Sequence, residues 1–301
     1  MTTYNSAMRS TALIAATAAL ALAIWLDAPA WADGTALPGT CALGTGGAMR
    51  ATATGDAGPM LNPSGISLLR AYTVEGAYQY GSRDSANDVH VSLVDSTSGF
   101  NLGGALFYTF HTASPTGGTQ IGHEGGLSLS FPLGDVVFLG GTAKYMYFST
   151  EASGTTDKKT GFTFDAGLTI RPIQFLSLAV VGYNLTNPET SFAPEALGGG
   201  VSVSPLPGFL LLLDSVLERV SGDPTRSKAY YMMGGGEYLG KTMAIRLGGG
   251  SDGLHKNGYL SGGLSFVSGV GALDISMRQD ISGDNKGTFV GVSARLFVPT
   301  I

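Results

Sequence analysis

From about Tyr72 onward, apolar and polar residues alternate over stretches of about ten residues, each followed by a turn. In the stretch around 162–171, Thr163, Asp165, Gly167, Thr169 and Arg171 alternate with Phe162, Phe164, Ala166, Leu168 and Ile170. A period of two puts these sets on opposite faces of a strand. The same split places Glu75, His90, Lys144, Asp214, Glu237, Arg246 and Arg278 on one face, against aliphatic and aromatic neighbours on the other. About fourteen such stretches follow one another, and nearly all their charge lies on the polar face, as in a transmembrane β-barrel.

The chemistry of the faces separates this reading from a soluble sandwich. The polar face is rich in Ser, Thr and Gly with isolated charges, as a narrow lumen requires. Tyr78, Tyr80, Tyr145, Tyr147 and Phe148 gather near strand ends as candidates for an interfacial aromatic girdle. Asp95 is the main charge on the apolar side, close to a strand end. Only 13% of residues are charged while 44% are hydrophobic; a soluble domain carries about a quarter charged. A charge at the lipid-facing midplane costs roughly 2–4 kcal/mol, which accounts for the segregation.

The connections interleave. Tight ones fall near 132–135, 172–174, 205–208, 240–241 and 268–269. Longer polar ones are expected over 82–88, 112–120, 149–160, 187–194, 220–227, 251–257 and 282–286. In bacterial barrels the short turns are periplasmic and the long loops extracellular. The expected fold is therefore all-β: a transmembrane antiparallel barrel of about fourteen strands over 71–301, in contact with outer-membrane lipid, with an N-terminal plug-like segment.

Residues 1–32 read as a secretory signal. Arg9 precedes an apolar run from Thr11 to Leu26, and Ala30-Trp31-Ala32 gives a cleavage pattern. This implies export to the bacterial outer membrane. Residues 33–70 lack alternation and end in Asn62-Pro63-Ser64-Gly65, a turn signal beside Ile66, Leu68 and Leu69. Two alternatives stand for this segment, a periplasmic leader or a plug folded into the lumen.

Net charge of −5 is dispersed, which indicates no nucleic-acid partner. The single cysteine, Cys41, excludes an intramolecular disulfide and a multi-cysteine metal site. Of the four histidines only His90 lies clearly within a strand on the lumen face, and there is no Gly-x-Ser-x-Gly or His-Glu-x-x-His pattern. The chain reads as a non-enzyme with no cofactor and no metal site. The lumen charges Glu75, Lys144, Asp165, Arg171, Asp214, Glu237, Arg246 and Arg278 read as structural ion pairs or as determinants of ion preference. Glu237 and Arg246 face each other across the tight turn at Gly240-Lys241.

Asn62-Pro63-Ser64-Gly65 is similar to the Asn-Pro-Ala-Gly element ahead of the first strand in FadL-like outer-membrane barrels, with Ser64 in place of Ala. Val181-Gly182-Tyr183-Asn184-Leu185-Thr186, and Gly236-Glu237-Tyr238-Leu239 with Ala244-Ile245-Arg246-Leu247-Gly248, resemble the PorV-type branch. The resemblance implies passage of small hydrophobic compounds, or a scaffold barrel that partners other envelope proteins; the lumen charges alone allow a general diffusion porin. In the FadL-like family a break in the third strand opens the wall sideways. Here Gly103-Gly104 is the candidate kink, since glycine weakens a ladder.

Overall fold

The computed structural model describes residues 39–98, 102–114, 118–152, 154–186, 193–219, 228–283 and 285–298. The expected signal sequence lies outside these. Fourteen strands are described: β1 (Tyr72–Gly81), β2 (Ala86–Asp95), β3 (Gly103–Ala113), β4 (Gly118–Leu133), β5 (Val137–Ala152), β6 (Thr155–Ile173), β7 (Leu176–Tyr183), β8 (Ala196–Val203), β9 (Phe209–Arg219), β10 (Lys228–Leu239), β11 (Met243–Asp252), β12 (Asn257–Val267), β13 (Gly271–Asp280) and β14 (Thr288–Phe297). Each pairs antiparallel with its neighbour in sequence, and β1 closes on β14 from Thr73↔Phe297 to Gly81↔Phe289. Closure leaves no free edge, the condition for strands in hydrocarbon.

Burial follows the alternation. Along β1 the residues from Thr73 to Gly81 are buried and exposed in turn, with Glu75 and Gln79 inward and Val74, Tyr78 and Tyr80 outward. The outer wall is a continuous apolar belt that includes Leu106, Phe164, Val180, Leu247 and Leu273, each at least half exposed. Apolar groups turned outward around a closed sheet are stable only against lipid. Asp95 sits at the end of β2, where its carboxylate accepts from the Thr97 amide (2.8 Å) and hydroxyl (2.6 Å).

Three expectations need correction. Residues 149–160 are not a long loop: β5 and β6 continue as a hairpin through Ser149↔Lys158 and Glu151↔Thr156 to Ala152↔Thr155. Pairing also runs on through Ala113↔Gln120 in the expected 112–120 loop. These hairpin tips are polar on both faces, so they carry no alternation to read. Phe148 points inward and is 4% exposed, because it shares the face of Lys144 and Met146; it is not a girdle residue.

The molecule's core lies inside the barrel. Residues 40–68 form α1 (Thr40–Gly44), a 3-10 turn at Arg50–Thr52, α2 (Ala57–Leu61) and a 3-10 helix at Pro63–Leu68. Cys41, Ala42, Ala48, Met49, Ala53, Ala57 and Leu61 pack on the inward Leu212, Val216, Met233 and Tyr259. The run Phe209–Leu213 is apolar on both faces for this reason, with lipid on one side and this segment on the other.

Candidate functional site

Asn62 is the seat of the N-terminal segment. Its Nδ2 donates to the Arg50 carbonyl (2.8 Å) and to Thr169 Oγ1 (2.9 Å) on β6. Its Oδ1 accepts from the Ser64 amide (3.1 Å) and hydroxyl (2.7 Å), closing the turn that begins the 3-10 helix. The Ser130 hydroxyl of β4 donates to the Ser64 carbonyl (3.0 Å). Pro63 and Ser64 press against Gly140, and Asn62 and Pro63 against Gly167, so closely that a Cβ at either glycine would collide with them. Ser64, where the resembled element has alanine, uses its hydroxyl: it lies 2.7 Å from Thr169 Oγ1.

Gly103 and Gly104 do not break the wall. Pairing passes through them in register to β2 (Asp95↔Gly104) and β4 (Gly103↔Ser130), and Gly103 makes room for Ile66 and Ser67. Among the described residues the register shift falls between β6 and β7, from Ile170 to Ile173.

The eight candidate lumen charges all face inward, but they do not form one cluster. Glu237 and Arg246 are opposed in register and joined at 2.5 Å; Arg246 also reaches Asp274 (3.3 Å). Lys144 bonds Asp165 (2.9 Å) and approaches Glu124 (4.0 Å). Arg278 lies 3.0 Å from both Asp252 and Asp280 and stacks on Tyr259, 3.7 Å from the ring centroid. Arg171, near the end of β6, bonds Ser177 (3.3 Å) and lies 5.9 Å from the Phe138 ring.

Glu75 and Asp214 depend on residues the candidate set omits. Glu75 bonds Arg295 of β14 (2.6 Å), which also meets Asp56 of the N-terminal segment (3.2 Å). Asp214 receives the Arg50 amide (2.8 Å) and guanidinium (3.2 Å). Arg50 Nε donates to the Tyr183 hydroxyl (2.8 Å), which in turn donates to the Leu61 carbonyl. Arg50 is the one cation between Asp33 and Leu69, so the signal for it was present in the sequence.

Cys41 is buried between Asp274 (3.3 Å) and Arg295 (3.4 Å), and burial pushes its thiol well up from its ordinary range. His111 joins His90 on the lumen face, which the sequence reading did not assign to it, and bonds Asp88.

A cavity of about 230 Å³ remains in the lumen, toward the end of the barrel opposite Tyr72. Its apolar part is Pro59, Met60 and Leu61 of the N-terminal segment with Val216 and Met233 of the wall. The polar lining is more extensive and includes Arg50, His111, Glu124, Lys144, Asp165 and Arg278. Lys144 is engaged by Asp165 and Arg278 by Asp252, which leaves the apolar part open to a guest beside these paired charges.

No family model and no curated protein matches this chain. Solved structures do. A Pseudomonas aeruginosa FadL homologue superposes with a TM-score of 0.64 at 11% identity, covering 89% of this chain and 99% of the homologue. The Pseudomonas putida toluene transporter TodX gives 0.63 at 9% identity, covering 90% and 99%. The closed fourteen-stranded wall is thus the FadL/TodX type of outer-membrane β-barrel fold.

Proposed function

We propose that the protein resides in the bacterial outer membrane and passes small hydrophobic compounds across it, with residues 33–70 acting as the plug. The observation that carries this reading is the cavity: a partly apolar chamber of about 230 Å³ whose floor is the N-terminal segment itself. An apolar cavity of about 150 Å³ holds benzene, so a monocyclic aromatic or short aliphatic compound fits. The FadL/TodX-type fold supports transport, and a lumen filled by packed residues argues against a general porin.

In this reading the end carrying the β1–β2 and β5–β6 connections faces outward, and both barrel termini face the periplasm. The test is uptake of a labelled monocyclic aromatic by cells whose outer leaflet is lipopolysaccharide, comparing wild type with Val216→Phe. Uptake above vector control, cut several-fold by the cavity-filling side chain, is expected. Uptake equal to vector control, or unaffected by the substitution, contradicts it.

A further inference from the structure

The inner face of β1 and β2 carries polar groups that the cavity does not account for. In register, Gln79 lies opposite Asp88, Ala77 opposite His90, and Glu75 opposite Ser92, all side chains turned into the lumen. Gln79, Asp88, His90 and Ser92 are each at most 7% exposed. Gln79 Oε1, Asp88 Oδ2, His90 Nε2, Ser92 Oγ and Glu75 Oε1 nevertheless have no hydrogen-bond partner among the described residues. The N-terminal segment faces them with Thr40, whose hydroxyl is likewise unpartnered and packs beside Gly291, the residue opposite Gln79 on β14.

Buried polar atoms are almost always satisfied, by protein or by water, so a run of orphans marks a place that water reaches. Six such atoms line up here, on β1, β2 and the facing Thr40, while others lie elsewhere in the lumen, at Thr163, Asp214 and Ser276 among them. The column starts at Asp88, two residues into β2, and passes Gln79 and His90, which bonds the cavity-lining Thr109 (2.8 Å). It then continues by Ser92 to Glu75, three residues from the start of β1. On the opposite wall Leu212, Val216 and Met233 pack against the N-terminal segment.

Carboxyl groups are the more numerous ionisable groups along the column, and each has a basic partner. The carboxylates of Asp88, Glu75 and Asp56 face it, with Arg295 as the cation and His111 on Asp88. Carboxylate-lined constrictions favour cations.

We propose that this polar seam is a hydrated conduit for water and small monovalent cations, running past the N-terminal segment from the cavity level to the opposite end. It is separate from the route for hydrophobic compounds. Its Ser and Gln side chains carry no partner that a substitution would orphan.

The full chain in planar bilayers under a potassium chloride gradient tests this. A current far below porin level, with a reversal potential on the cation side, is expected, and Ser92→Leu with Gln79→Leu is expected to lower it about tenfold. No current above bare bilayer, an anion-side potential, or a current the double variant leaves unchanged overturns the proposal. Should that variant not fold, Ser92→Cys decides. Its introduced thiol is expected to react with a cationic methanethiosulfonate about tenfold faster than with an anionic one, with the wild-type chain as blank. Equal rates, or no labelling, overturn it. Loss of aromatic uptake in the Val216→Phe variant with this current intact separates failure of one route from failure of the other.

Discussion

Arg50 shows how the segment and wall are joined at the level of one residue. Its guanidinium and amide both serve Asp214, which has a fully buried side chain. Removing the cation strands a buried carboxylate, so Arg50→Met is expected to cost about 3–5 kcal/mol, read from the urea midpoint of refolded protein. Adding Asp214→Leu is expected to recover most of that loss; no recovery would show that the pair is not the cause. Cys41 gives a pH prediction. Burial raises its thiol, so the folded chain keeps a proton that the unfolded chain loses above about 8.5. Stability is therefore full below that pH and falls as pH rises beyond it. Cys41→Ala should remove this alkaline loss, measured by urea titration from pH 7 to 10. In the folded protein at pH 8 the thiol is expected to resist maleimide.

Among the elements, the strands were legible because lipid enforces a period of two. Where that enforcement stops, so did legibility: the tips of β5 and β6 are polar on both faces and read as loop, although they pair through Ala152↔Thr155. The Asn62-Pro63-Ser64-Gly65 turn was legible from local chemistry, but its seat on Thr169 was not, since that contact spans more than a hundred residues. The pairing of Glu237 with Arg246 was legible because a tight turn fixes its register; the partners of Glu75 and Asp214 were not, because β1–β14 closure and the segment's path are non-local. Ile275 lies mid-strand on the outer face of β13. Ile275→Arg is expected to destabilise by roughly 2–4 kcal/mol in vesicles, while Ser276→Ala, which removes an inward hydroxyl unpartnered among the described residues, is expected to be near neutral. Equal effects at both positions would contradict the assignment of faces.

At the scale of the whole molecule, a lipid-facing wall encloses a small apolar core, and that core is the N-terminal segment. Burial of its alanines and Met49 against Leu212 and Met233, with the Asn62 and Arg50 anchors, holds it in place. Gly140 is where the wall meets the segment's backbone, with no room for a Cβ beside Pro63 and Ser64, and β5 pairs in unbroken register on both sides of it. Gly140→Val is therefore expected to displace Pro63 and Ser64 and to leave the barrel closed. The most direct test of a barrel held shut by this segment is single-channel conductance of wild type beside Gly140→Val. Wild type is expected to stay far below porin level, and the variant to show larger, fluctuating openings. A large steady conductance from the wild-type chain, or identical traces from the two, would contradict the account.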